Sequence, residues 1–112
     1  ACLPLLQKAD DAAMIFVIDE EAGRGGAYWG GYGIAQSAQT TLIGTLHAEL
    51  ANSKVRVSGL APGPMRTPLR ARVFVEADND IARDAAAVAP ACVHLLSAAG
   101  SDQRGRIWEP ER

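Results

Sequence analysis

Two apolar runs decide what this chain can fold into. Met14-Ile-Phe-Val-Ile18 is continuous and carries three β-branched residues, and Val55-Arg-Val-Ser-Gly-Leu60 is a second strand candidate. An unbroken apolar run like the first suits a strand buried on both faces, as in a parallel sheet flanked by helices. Between the runs, from about Tyr28 to Asn52, the pattern turns helical. Ile34, Ala38, Leu42 and Leu46 recur at four-residue steps, and Ile43 and Leu50 widen the stripe. Strand, helix and strand in that order make a βαβ unit.

The remaining segments extend the same alternation. Residues 1–9 read as the last turns of a helix that opens on no Ser, Thr, Asp or Asn, so the chain is expected to start inside a helix. Asp19-Glu20-Glu21 ends the first strand, and Gly23, Gly25 and Gly26 make a loop. Pro62, Pro64 and Pro68 are expected to forbid regular structure. A third helix is expected from about Asp84 to Ala99, with Pro90 either kinking it or marking its true start and Gly100 ending it. Gly105 to Trp108 reads as a short last strand. The fold class is therefore α/β, a partial doubly wound parallel sheet of about three strands with flanking helices. A chain of 112 residues forms one such domain, not two.

Charge and cysteine content exclude several roles. Lys and Arg number 11 against 13 Asp and Glu, a net charge of -2, which argues against a nucleic-acid or membrane-surface binder. No apolar run approaches the roughly 20 residues of a membrane span. Cys2 and Cys92 lie at opposite ends of the chain and form neither a disulfide framework nor a metal cluster, so a reducing cytoplasm is expected. His47 and His94 fall on separate expected helices without ligand spacing, and no metal site is expected.

Three sequence-distant segments converge on one edge of the expected sheet. Ligands of open parallel sheets bind outside the carboxyl ends of the strands. The loop from Asp19 to Tyr28 and the segment Ala61-Pro-Gly-Pro-Met-Arg-Thr67 both leave such ends. Tyr32 and Gln36, four residues apart, share one face near the start of the long helix. The acidic run at residues 19–21 reads either as a solvated strand end or as an acid/base or metal pair. Trp29 either walls a substrate pocket or packs the loop.

With these residues in place, the chain resembles the second half of the short-chain dehydrogenase/reductase family, whose fold is Rossmann-like. Tyr32-Gly-Ile-Ala-Gln36 stands for the family's Tyr-x-x-x-Lys motif, and Pro62-Gly-Pro-Met-Arg-Thr67 for its Pro-Gly-x-x-x-Thr motif. Gly23-Arg-Gly-Gly-Ala-Tyr-Trp-Gly-Gly-Tyr32 looks like a bacterial subgroup with a Gly-Arg turn and a Trp-Gly pair before the tyrosine. The resemblance implies NAD or NADP as cofactor and Tyr32 as proton donor. It implies that Pro62, Gly63, Met65 and Thr67 hold the nicotinamide, with Tyr32 and Gln36 beside the ribose. Two departures stand out. Gln36 fills the lysine slot and carries no charge to stabilise a phenolate. The serine slot holds Glu20 if aligned on Gly23-Arg24, or Asp19 if counted back thirteen residues from Tyr32. The family's phosphate loop belongs to its first half, so cofactor binding by this chain is expected to be weak or absent. A few-stranded sheet leaves apolar surface uncovered, and the resemblance points to the Ile34–Leu50 helix face for a homo-oligomer or partner-chain contact.

Overall fold

The computed structural model describes residues 1–74 and 81–111. Helix α1 (Leu3–Lys8) leads into strand β1 (Ala12–Val17), and a 3₁₀ turn at Ala22–Arg24 precedes the long helix α2 (Gly30–Glu49). Next along the chain are strand β2 (Val55–Leu60), the two-residue strand β3 (Met65–Arg66) and helix α3 (Pro68–Val73). After β4 (Arg83–Asp84) come a 3₁₀ turn, helix α4 (Ala89–Leu96), a second 3₁₀ segment (Ala98–Gln103) and β5 (Ile107–Trp108). The main sheet has the order β1-β2-β5 and both pairings are parallel. No helix among the described residues is long and apolar enough to cross a membrane.

The register brings the strand ends level. Val17 and Trp108 both pair with Leu60, and the ladder continues one bond further on each side. Ile18 N–H donates to Leu60 O at 2.9 Å, and Ala61 N–H to Trp108 O at 2.9 Å. The segments beyond the three strands therefore all depart from the same edge.

Burial is distributed differently from the expectation. All six residues of β2 are buried, whereas β1, expected to be covered on both faces, buries only Ala12 among its own residues and leaves Val17 half exposed. The reason is topological: β2 is the central strand and β1 an edge. Two apolar clusters flank the sheet. One gathers Val55, Val57, Ile43 and Leu50 under α2, and the other gathers Leu60, Val88, Ala91 and Leu95 under α4. The stripe on α2 is divided: Ile43 and Leu50 face the core, while Ile34 is 73% exposed and Leu42 41%.

Prolines mark starts here rather than breaks. Pro68 occupies the first turn of α3, where its missing N–H costs nothing, and the Thr67 hydroxyl accepts from Arg70 N–H at 3.1 Å as the cap. The segment expected to lack regular structure thus contains β3 and α3. Pro90 likewise sits in the first turn of α4 and marks its start. That helix ends at Leu96, before the expected Gly100 stop, where the Ser97 hydroxyl donates to His94 O at 2.8 Å.

Two arginines tie the sheet to its surroundings. Arg56, buried on β2, pairs with Asp11 and donates to Ser97 O at 3.0 Å. Arg104 Nη2 donates to Leu50 O at 2.8 Å and Ser53 O at 3.0 Å, closing the C-terminal end of α2 onto the last strand. Both satisfy backbone carbonyls that would otherwise lack partners.

Candidate active site

Close packing of small residues sets the depth of the site. A Cβ at Gly33, in the second turn of α2, would lie 2.7 Å from Ala22 O and 2.9 Å from Trp29 Cβ. Only a glycine lets the Ala22–Arg24 turn sit directly on the helix. That contact draws the end of β1 against the first two turns of α2. The Asp19 N–H donates to Gln36 Oε1 at 2.9 Å, and Asp19 Oδ1 accepts from Ala22 N–H at 3.2 Å. Asp19 Oδ2 then accepts from the Tyr32 hydroxyl at 3.4 Å. Because the partner of Gln36 is a backbone donor, its amide oxygen is the end that faces Asp19.

Asp19, thirteen residues before Tyr32, meets the phenol. Glu20 turns instead to the carboxyl of Glu109. That contact and partial burial hold its pKa above the ordinary 4.5, while Arg24 pulls it down. Tyr32 is raised above its ordinary 10.0, first by burial and then by the charge and hydrogen bond of Asp19.

The opposite wall comes from the end of β2. Gly63 has φ 74, a left-handed conformation that favours glycine and leaves the backbone bare. Arg83 fixes this wall from outside the motif, since its Nη2 donates to Pro62 O at 2.7 Å and its N–H to Pro64 O at 3.0 Å. Met65 and Thr67 continue the wall into β3 and the cap of α3. Trp29 does both things the sequence left open. It lines the cleft, and its ring meets Phe74 edge-on at 5.9 Å and Tyr32 at 6.0 Å.

These walls enclose a cleft of about 810 Å³. Every expected site residue lines it: Asp19, Glu20, Trp29, Tyr32, Gln36, Pro62, Gly63, Met65 and Thr67. Sequence reasoning missed Arg70, Phe74, Arg83 and the Glu109-Pro110-Glu111 tail. The tail was within reach of the rule already applied to β1 and β2, since it leaves the carboxyl end of a third parallel strand. Arg83 carried no local signal, because only the β3–β4 pairing brings it to Pro62.

Known proteins of the same shape and sequence pattern are identifiable. The family model described as short chain dehydrogenase matches residues 1–78. An Escherichia coli K12 protein named uncharacterized oxidoreductase YciK is 31% identical over 104 residues, covering 93% of this chain and 40% of its own length. A short chain dehydrogenase structure from Salmonella enterica serovar Typhi CT18 superposes with TM-score 0.87 at 28% identity, over 96% of this chain and 44% of that one. A short chain dehydrogenase structure from Escherichia coli CFT073, in complex with NADPH, gives TM-score 0.86 at 27% identity, over 96% and 44%. The chain spans about two fifths of the length of the curated relative it matches.

Proposed function

The chain belongs to the short chain dehydrogenase family, and from that premise we propose that it carries the catalytic-side half of an NAD(P)-dependent alcohol–carbonyl oxidoreductase site. As it stands it does not transfer hydride. The observation that carries this reading is the hydrogen bond from Tyr32 to Asp19. In the family, a serine beside the tyrosine donates to the substrate carbonyl, and a lysine one turn on draws the phenol's pKa down. Asp19 and Gln36 stand in those two places. A carboxylate repels a developing oxyanion where a donor would stabilise it, and the phenol is pushed up rather than down.

The nicotinamide wall is the part that fits its ligand. Gly63 leaves backbone accessible, and Thr67 keeps a hydroxyl proton to donate although its oxygen caps α3. Pro62, Gly63, Met65 and Thr67 would hold a nicotinamide, which would supply the hydride acceptor or donor. A relative complexed with NADPH supports a dinucleotide of this class. Residues 1–112 contain no Gly-x-x-x-Gly-x-Gly loop to anchor a pyrophosphate, so binding by this chain alone is weak. The test is a calorimetric titration of NADPH and NADH into a longer form supplying that loop, with Asp19→Ser and Gln36→Lys restored. Cofactor binding and recovered carbonyl reduction support the reading. Failure of the longer form to bind either dinucleotide overturns it.

A second reading, a non-catalytic interaction protein of the same fold, draws on surface. The accessible area is 7282 Å², against about 5,900 Å² for a compact monomer of this mass. Exposed Ile34 and Leu42 on α2 supply an apolar face for a second copy or a partner chain. A cytoplasmic location is part of both readings.

A further inference from the structure

A phenol has one proton to donate, and in this cleft Tyr32 gives it to Asp19 Oδ2 at 3.4 Å. The Asp19 carboxylate has no proton of its own to offer, and its other oxygen is taken by Ala22 N–H at 3.2 Å. What this corner presents to a ligand is therefore lone pairs on both residues. A carbonyl oxygen placed there meets acceptors only and gains no hydrogen bond from either residue. A hydroxyl brings its own proton and is satisfied.

We infer that the Tyr32–Asp19 corner recognises the hydroxyl form of an alcohol–carbonyl pair, and that Asp19 is the residue setting this choice. The inference rests on the reading of the cleft as a substrate site. The corner's neighbours define the rest of the ligand. Trp29 and Phe74 meet edge-on beside it, and Val17 and Leu69 line the same cleft, which suits an alcohol on an aromatic or aliphatic body. The donors that remain serve other groups. Gln36 keeps its amide N–H on the arm away from Asp19, and Thr67 lies on the nicotinamide wall.

The matched pair 1-phenylethanol and acetophenone separates the two forms by one donor. Each is titrated into the chain while the Trp29 indole and Gly63 amide resonances are followed. The alcohol is expected to bind about tenfold tighter than the ketone, the discrimination of one hydrogen bond to a charged group that water still reaches. Asp19→Asn offers a donor as well as an acceptor and brings the two affinities together. Asp19→Ser reverses the order. Loss of fold would weaken both ligands alike, so the ratio of affinities reports the corner itself. Equal or tighter binding of the ketone to the unaltered chain, or a ratio that neither substitution moves, overturns the inference and leaves the cleft as a substrate site. Absence of any shift with either ligand overturns the substrate-site reading along with it.

Discussion

Tyr32 feels three influences that act in one direction: burial, the Asp19 charge and the Asp19 hydrogen bond all favour the protonated phenol. A Tyr28→Phe background leaves Tyr32 as the sole tyrosine, so its tyrosinate absorbance can be titrated directly. Its midpoint is expected above 10.0, and Asp19→Asn is expected to bring it down by removing the charge. The linked effect on stability has a definite sign. A group whose folded pKa is raised stabilises fully below its unfolded value and loses that contribution as pH rises through the folded value. Melting temperature should therefore fall more steeply above pH 10 with Tyr32 than with Tyr32→Phe. At this scale the lining of the cleft was largely legible, because two motifs at fixed spacing named Tyr32, Gln36 and the Pro62 to Thr67 wall. The choice between Asp19 and Glu20 was not, since it depends on which way the chain turns after β1. Arg83 was invisible for a related reason: nothing local ties it to Pro62.

Element by element, what could be read from sequence depended on whether local chemistry or tertiary cover decided the outcome. The β2 strand matched its expected bounds, helped by its β-branched residues and its central position. The α3 helix escaped notice because Pro68 was weighed as a breaker, although Thr67-Pro68 is also a capped helix start. The expected third helix proved shorter because Pro90 falls in its first turn and marks its start, which leaves Ala85–Val88 as a 3₁₀ turn before it. Gly33 gave no sign of its role, for a glycine inside a helix normally only weakens it. Here a side chain would collide with backbone at 2.7 Å. Gly33→Ala should cost about 1–3 kcal/mol in denaturant unfolding despite its better helix propensity, as overpacking does. Chemical shifts of Asp19 and Tyr32 should move with it, since the turn they depend on is displaced.

For the molecule as a whole, the parallel sheet and its helix-covered faces were readable from alternation, and the small number of strands already implied uncovered apolar surface. The radius of gyration is 15.2 Å, against about 13 Å for a compact domain of this length. On the α2 face expected to meet a second copy or a partner chain, Ile34 is 73% exposed and Leu42 41%. Light scattering should report a mass above that of one chain, and Ile34→Glu with Leu42→Glu should reduce it toward 11.8 kDa. A monomer in the unaltered protein would remove the case for a partner on this helix. The paired substitution should change thermal stability by less than about 0.5 kcal/mol when measured on monomers, because neither side chain supports the core.

Arg104 carries an implication for the order of folding events. Its guanidinium reaches Leu50 O across 54 residues, and the β2–β5 pairing beside it is equally non-local. Closing β1 onto β2 spans nearly as long a loop, but that register joins six residue pairs against two for β2–β5, so the βαβ unit of β1, α2 and β2 has reason to assemble before its clasp arrives. A contact that forms after the rate-limiting step governs escape from the native state rather than entry to it. In stopped-flow measurements Arg104→Ala should leave the refolding limb nearly unchanged and accelerate unfolding, about tenfold for a loss near 1.4 kcal/mol. The residue that closes the sheet would then act as its latch, setting how long the molecule stays folded.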